Sequence, residues 1–277
     1  MGKYGALARH LIALDLAPEG FAEPEMAEAD ILALAHDRAY VDAVLSLNVP
    51  AEIEKRIGLP VTEAVARRAC RAAGGTILAA RLALTHGLAG STAGGSHHGQ
   101  RTTGAGFCVF NDVAIAAKAL QAAGEIRRAL IVDLDVHQGD GTADCLSSDP
   151  DLFTFSLHSE KNYPVRKIAG DLDIGLPDGM EDDAYLDVLA RHLPGLLDGL
   201  APDLVFYNAG VDPHREDRLG RLSLTDEGLR RRDDYVVREA RRRSIPLVSV
   251  VGGGYSEDTD ALGRRHAYVF ETMAEAL

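Results

Sequence analysis

The sequence has few cysteines, no long apolar run and no N-terminal targeting pattern. Its three cysteines, Cys70, Cys108 and Cys145, are odd in number and widely spaced. This excludes a disulfide framework or a zinc finger and is typical of a reducing compartment. No segment approaches the roughly 20 apolar residues that cross a membrane, and the start MGKYGALARH lacks a signal-peptide pattern. We therefore expect a cytoplasmic protein with no membrane partner.

Basic residues are also in deficit. Lysine and arginine together number 29 against 42 aspartates and glutamates, which gives a formal charge of −13. Nucleic-acid binding needs a basic surface, so we expect no nucleic-acid partner. An acidic surface could attract cationic substrates such as lysine-rich tails or polyamines, although many soluble bacterial-type proteins are simply acidic. The composition indicates no particular oligomeric state.

The 277 residues contain no repeat and no Pro/Gly/Ser linker, which predicts a single domain over residues 1–277. Four segments are apolar on both faces, as buried parallel strands are: Ala129–Asp135, Leu152–Leu157, Leu204–Asn208 and Pro246–Val251. Helical patterns lie around them, at Glu63–His86, Val113–Ala123, Asp182–Leu197 and Thr225–Arg243. This order predicts an α/β fold with a doubly wound, mainly parallel sheet and helices on both faces.

Polar residues follow these predicted strands directly. Asp135 runs into VHQGDG, Asn208 into AGVDPH and Val251 into GGGY. Because ligands bind beyond the carboxyl ends of parallel strands, we expect acids, histidines and a tyrosine from distant parts of the chain to meet at one rim.

Asp133, Asp135 and His137 alternate along one strand exit. Residues two apart in an extended segment point to the same side, so Asp135 and His137 could bind one ion, with Asp212 after its own strand as a third ligand. Two carboxylates and an imidazole suit a catalytic zinc with an open position, whereas magnesium or calcium would favour oxygen ligands alone. The pattern alone also allows a polar strand exit without a metal.

Three glycine-flanked motifs carry further candidate residues. The adjacent histidines His97 and His98 in GGSHHG are either a general acid/base pair or part of a surface loop. Tyr255 in GGGY could donate a hydrogen bond to an oxyanion or simply cover a turn. In GFCVFND, Phe107 could wall a slot or belong to the core, and Asp112 could cap the following helix. We expect Cys108 to be a buried packing residue.

Together these motifs resemble the histone deacetylase family, which includes bacterial members and acetoin-utilisation-type proteins. The resemblance rests on GGSHHG, GFCVFND, DLDVHQGDGT, NAGVD and GGGY, in this order, and covers nearly the whole chain from Lys3 onward. The stretches EKNYPVRK and DRLGRLSLTDEGLRRRD are most similar to class IV and its bacterial relatives. The resemblance implies a three-layer α/β/α, arginase/deacetylase-like fold.

The resemblance also implies a metal-dependent amidohydrolase. It places one zinc ion per chain on Asp135, His137 and Asp212, with ferrous iron as the alternative metal. It also implies a structural potassium ion near a second set of residues, which comprises Asp133, Asp135, His137, Ser156 and Leu157.

Catalytic roles follow from the same resemblance. His98 would act first as general base and then as general acid, while His97 would assist electrostatically. Asp133 would orient His97, and Asp140 would orient His98. Tyr255, together with the zinc, would polarise the acyl carbonyl.

The resemblance assigns a further group of residues to the substrate. Phe107, Tyr163 and Leu219 would line a tunnel for an acyl-lysine side chain, and Gly253 and Gly254 would border the substrate. The partner would be an acyl-lysine protein or peptide, or a small acylated amine. The acyl group would be acetyl or longer.

Two features depart from the family pattern. The family's first strand, and an arginine that lines an internal channel, would precede Met1. The position of a substrate-binding aspartate in class I relatives aligns with Gly58, so we expect a different recognition of the peptide backbone.

Three other functions stay open from the sequence. The chain could be a catalytically silent protein that kept the pocket, or an amidohydrolase for acylpolyamines or small metabolites. It could also be an arginase-like ureohydrolase, although that enzyme would need a two-metal cluster richer in aspartate and histidine.

Overall fold

The four apolar segments form the centre of one parallel sheet. The computed structural model describes residues 2–277, in which there are ten helices and six strands. The strands are β1 (Leu88–Gly90), β2 (Ala129–Asp133), β3 (Leu152–Ser159), β4 (Leu172–Leu176), β5 (Leu204–Asn208) and β6 (Leu247–Val250). The helices are α1 (Gly2–Ala13), α2 (Ala29–Leu32), α3 (Arg38–Leu45), α4 (Ala51–Ile57), α5 (Glu63–His86), α6 (Asp112–Ala122), α7 (Asp140–Leu146), α8 (Asp182–Leu200), α9 (Asp226–Arg241) and α10 (Thr259–Glu275).

The sheet has the strand order β1-β6-β5-β2-β3-β4, and every neighbouring pair is parallel. The predicted strands are therefore its four central strands, and the two edge strands were missed, as were helices α1 to α4, α7 and α10. All carboxyl ends lie at the same edge of the sheet. Asp133 at the end of β2 is in register with Ser156 on β3 and with Asn208 on β5.

Helices cover both faces of the sheet, as predicted. Along β2, Ile131 packs into an apolar cluster with α5 and α6, while Leu130 and Val132 pack into a second cluster with α8, α9 and α10. This alternation gives three layers, α/β/α, and makes β2 buried on both sides. No helix among residues 2–277 has both the length and the apolar character of a membrane span.

Local signals set the ends of the long helices. The Thr62 hydroxyl accepts a hydrogen bond from the Val65 amide at the start of α5, and Gly87, with a φ of 88°, ends that helix. Such caps satisfy backbone groups that the helix leaves unpaired. One predicted cap was wrong: Asn111 caps α6 by accepting from the Ala114 amide, whereas Asp112 is the first helical residue.

Strand β2 ends at Asp133, two residues earlier than predicted. The Asp135 amide donates to Asp133 Oδ1 and the His137 amide to Asp135 Oδ1, at 3.2 and 3.0 Å. These carboxylate oxygens accept from the backbone amides in place of the carbonyls of a neighbouring strand. Asp135 and His137 therefore come together through a turn and not through the alternation of side chains along a strand. The predicted proximity of Asp135 and His137 was confirmed, but the predicted cause, side-chain alternation along an extended strand, was wrong.

One buried arginine ties this turn to α9. Arg232 is fully buried, and its guanidinium donates to Gly210 O at 2.6 Å and to Leu134 O at 3.3 Å. It also pairs with Asp233, whose Oδ1 accepts from the Tyr207 hydroxyl as well. A buried ion pair is tolerated only when its polar atoms are satisfied. Arg232 therefore fixes two loop carbonyls that adjoin Asp135 and Asp212.

We expect Arg232→Met to destabilise the protein by about 3–5 kcal/mol, because Asp233 would be left as a buried charge without its partner. Chemical denaturation monitored by circular dichroism would measure the change. The matched control is Arg231→Met on the same helix, whose exposed pair with Asp183 should contribute less than about 1 kcal/mol. Equal effects of the two substitutions would contradict this account.

Candidate functional site

Asp135, His137 and Asp212 form a buried cluster beyond the ends of β2 and β5. One ligand atom from each residue lies within 4.8 Å of the others. His137 Nδ1 is 3.0 Å from Asp135 Oδ1 and 3.2 Å from Asp212 Oδ2. Both carboxylates are fully buried. The predicted triad is thus assembled from two strand exits that are about 75 residues apart in the sequence.

The cluster has the chemistry and the space of a metal site. Asp212 Oδ1 accepts the Val136 amide at 2.8 Å, but Oδ2 is buried and accepts no hydrogen bond from residues 2–277. A Cβ atom at Gly253 would collide with that same oxygen, so only glycine leaves it open. An orphaned carboxylate oxygen beside a second carboxylate and an imidazole fits a divalent metal ion.

Burial sets the protonation of this cluster. Burial, and then the charge of Asp135, raise the pKa of Asp212 to about 7. Burial alone would lower the pKa of His137, but its contacts with Asp135 and Asp212 raise that pKa to about 10. Without a metal ion, His137 is therefore protonated and Asp212 partly protonated at neutral pH, and these protons offset the negative charge of the carboxylates.

His97 lies beside this cluster and is held by Asp133. Its Nδ1–H donates to Asp133 Oδ2 at 2.7 Å, and the other oxygen of Asp133 accepts from Asn208 Nδ2 at 2.9 Å. Burial opposes the charged imidazole, but Asp133 and Asp135 raise the pKa of His97 to about 9. His97 is therefore a cation at neutral pH.

His98 has the opposite electrostatic character. Its Nδ1–H donates to Asp140 Oδ1 at 2.6 Å, which leaves Nε2 as the basic nitrogen. Burial, and then the charge on His97, lower the pKa of His98 to about 4. The two ring centroids are only 4.1 Å apart. The pair thus combines one charged and one neutral imidazole.

The loop that carries these histidines is held by Asp112. Its carboxylate accepts from the Thr76 hydroxyl at 2.6 Å and from the Gly95 and Ser96 amides at 3.1 and 2.8 Å. Gly95 has a φ of 81°, and a Cβ there would collide with the Gly252 amide. The loop can therefore pack against the glycine turn after β6.

Tyr255 projects from that glycine turn toward His137, with ring centroids 6.1 Å apart. Its amide donates to Asp217 Oδ2 at 2.6 Å, and the Gly253 amide donates to Asp135 Oδ2 at 2.7 Å. Burial, and then the nearby charge of Asp135, raise the pKa of the Tyr255 phenol. The hydroxyl therefore stays protonated and can act as a donor. Gly253 and Gly254 form the turn next to it.

A cavity of about 330 Å³ opens over His98, His137 and Tyr255. Its walls include Phe107, Tyr163, Leu219 and Gly58, together with Arg56 at the mouth. The first three are 53%, 41% and 46% exposed, so Phe107 belongs to the cavity wall and not to the core. The Tyr163 ring meets the His98 ring edge to face at 4.8 Å.

A second cavity of about 570 Å³ shares His98, Phe107, Leu219 and Tyr255 with the first. It is lined in part by Lys3, Arg68 and Gly253. The Lys3 ammonium donates to Gly252 O at 2.8 Å. Sequence reasoning assigned no role to either cation.

Cys108 is buried, and burial raises the pKa of its thiol to about 12, so it is a packing residue as expected.

Several residues that hold the site were missed in the sequence. They are Asn208, Asp217, Gln100 and Arg232. Asn208 ends a predicted strand and could have been suspected from that position alone. The other three have no local signal. The potassium site near Ser156 stays a prediction; the Ser156 hydroxyl lies 2.9 Å from His158 Nδ1.

Comparisons with known proteins agree with this geometry. A family model described as the histone deacetylase domain matches residues 2–273. A protein of Picosynechococcus sp., described as uncharacterized, is 48% identical over 90% of this chain and 83% of its own length. Histone deacetylase 2 of Arabidopsis thaliana is 32% identical over 93% of this chain and 69% of its own length. The crystal structure of the HDA15 HD domain superposes with a TM-score of 0.83 over 99% of this chain and 82% of that chain, at 23% identity, which shows the shared fold.

We expect the affinity of the Asp135, His137 and Asp212 cluster for a divalent metal to rise with pH. The raised pKa values of Asp212 and His137 mean that metal binding must displace protons near neutrality. Each displaced proton makes the affinity rise about tenfold per pH unit. Competition titrations with zinc between pH 6 and 8 would measure the slope, and an affinity independent of pH would contradict it.

Proposed function

This chain belongs to the histone deacetylase family, and on that premise we propose that it is a zinc-dependent amidohydrolase. Its substrates would be acetyl or longer acyl groups on lysine side chains or similar amines. The observation that carries the proposal is the buried cluster of Asp135, His137 and Asp212 beside two differently charged histidines. Relatives named histone deacetylase support an acyl-lysine substrate.

Asp135, His137 and Asp212 would hold the zinc ion. When bound, the ion would act as a Lewis acid toward the acyl carbonyl and would acidify the attacking water. The donor set leaves room for this, since three protein ligands are typical of catalytic zinc sites.

His98 would move the protons. Its pKa of about 4 keeps Nε2 unprotonated at neutral pH, so it can accept the proton of the attacking water. Asp140 holds the ring in the tautomer that this step requires. The protonated ring would then donate to the leaving amine nitrogen, which is otherwise a poor leaving group. His98 thus serves first as general base and then as general acid.

His97 and Tyr255 would stabilise the negative charge that develops on the acyl oxygen during the reaction. Without a metal ion His97 has a pKa raised to about 9 by Asp133 and Asp135, and Asp133 fixes its orientation. Tyr255 keeps its proton and donates a hydrogen bond to the acyl oxygen. The His97 ring is held by Asp133 and the Tyr255 backbone by Asp217, so both donors are positioned before the substrate binds.

The cavity walls agree with a single unbranched acylated side chain. Phe107, Tyr163 and Leu219 offer apolar surface over His98 and Tyr255. A volume of about 330 Å³ is at the lower end of small-molecule sites. Turnover of acetyl-, trifluoroacetyl- and fatty-acyl-lysine peptides and of acetylated polyamines would identify the preferred substrate.

We expect His98→Ala to lower kcat on an acyl-lysine peptide by about 10²–10⁴-fold and Tyr255→Phe by about 10²–10³-fold. Both variants should still bind one zinc ion per chain, since neither residue belongs to the Asp135, His137 and Asp212 cluster. His192→Ala on α8 and Tyr235→Phe on α9 are matched controls that should leave kcat unchanged.

Turnover that survives both site substitutions would contradict the mechanism. A wild-type protein that binds zinc but hydrolyses none of these substrates would favour the catalytically silent alternative. Two manganese ions per chain would favour the arginase-like alternative.

A further inference from the structure

Gln100 contacts the carboxylate that holds His98. Its Nε2 donates to Asp140 Oδ2 at 2.8 Å, while Asp140 Oδ1 accepts from His98 Nδ1 at 2.6 Å. Asp140 is only 1% exposed. Both oxygens of this buried carboxylate are therefore occupied, one by the imidazole and one by a side-chain amide.

Arg56 fixes which end of the Gln100 amide faces Asp140. The Arg56 guanidinium lies 3.2 Å from Gln100 Oε1. A guanidinium can only donate, and an ionised carboxylate can only accept. The amide must therefore place its oxygen toward Arg56 and its NH₂ toward Asp140.

The backbone of Gln100 is anchored independently of its side chain. Its amide donates to Thr103 O at 2.8 Å, and its carbonyl accepts from His36 Nδ1 at 2.9 Å. His36 Nε2 in turn accepts the Asn111 amide at 2.9 Å, which fixes the tautomer of His36. Replacement of the Gln100 side chain should therefore leave the path of this loop unchanged.

The other histidine, His97, has the same arrangement of a carboxylate and a side-chain amide. Asp133 gives one oxygen to His97 and the other to the Asn208 side-chain amide. Each histidine–carboxylate pair is thus held by one amide side chain. The two amides come from different parts of the fold: Asn208 from the end of β5, and Gln100 from the residue after the GGSHHG motif.

We propose that Gln100 is a positioning residue for the reaction, which acts on His98 through Asp140 and whose amide is oriented by Arg56. This inference rests on the proposed function, in which His98 transfers the protons. Without the Gln100 donor, Asp140 Oδ2 would be buried without a partner, and the carboxylate would be free to rotate away from His98. The His98 ring would then spend less time in the orientation that accepts a proton from water.

The kinetic test uses Gln100→Leu in two backgrounds. In the wild-type background, we expect kcat on an acyl-lysine peptide to fall about tenfold with KM within about twofold, since partners one shell out from a catalytic group typically contribute 10–100-fold. In the Asp140→Asn background, the same replacement should change kcat by less than about twofold, because its effect passes through Asp140. Gln121→Leu on α6 is the matched control and should leave kcat unchanged.

Gln100→Glu provides a second variant of nearly the same size. It keeps an acceptor for Arg56, but its carboxylate faces Asp140 and cannot donate, so kcat should fall at least as much as in Gln100→Leu. An unchanged kcat in either variant, an effect on KM alone, or an equal loss of kcat in both backgrounds would overturn the proposal.

A second readout does not depend on turnover. In the zinc-loaded protein, the His98 Nδ1 proton should give a downfield proton NMR signal that disappears in His98→Ala. Gln100→Leu should shift or broaden this signal, whereas Gln121→Leu should not. An identical signal in Gln100→Leu would overturn the positioning role, even if no acyl substrate were found. Absent turnover with a shifted signal would count against the proposed function alone.

Discussion

The burial of Asp135 and Asp212 around His137 is the constraint on which the rest of the site depends. Two carboxylates out of water repel each other: burial, and then the charge of Asp135, raise the pKa of Asp212 to about 7. The surrounding structure maintains this unfavourable arrangement: the Val136 and Gly253 amides each hold one carboxylate oxygen. Arg232 donates hydrogen bonds to the Leu134 and Gly210 carbonyls in the loops that carry these carboxylates. A divalent cation would relieve this repulsion, and the three side chains are close enough together to hold one.

The same electrostatics gives the two adjacent histidines opposite pKa shifts. Burial lowers the pKa of both rings, but Asp133 and Asp135 raise that of His97 to about 9, whereas the charge on His97 lowers that of His98 further, to about 4. Their sequence neighbours are similar, and only the three-dimensional placement of the acids distinguishes them.

Much of the fold was predictable because its central strands are apolar on both faces. The edge strands were not: β1 has only three residues, and β4 is a five-residue segment (LDIGL) that contains a glycine and is mostly only half-buried. The predicted site residues were brought together because parallel strands share one carboxyl edge. The turn after Asp133 was missed because it depends on side-chain acceptors. Arg232 and Gln100 were missed because the site groups that they contact, the Leu134 and Gly210 carbonyls and the Asp140 carboxylate, are far away in the sequence.

The proposed function requires one metal ion between Asp135, His137 and Asp212. Anomalous diffraction at the zinc absorption edge, from crystals of the zinc-loaded protein, tests it most directly. The account predicts one strong peak per chain in contact with these three side chains and open toward the cavity of Phe107 and Tyr163. A peak elsewhere in the chain, with this cluster left empty, would contradict it.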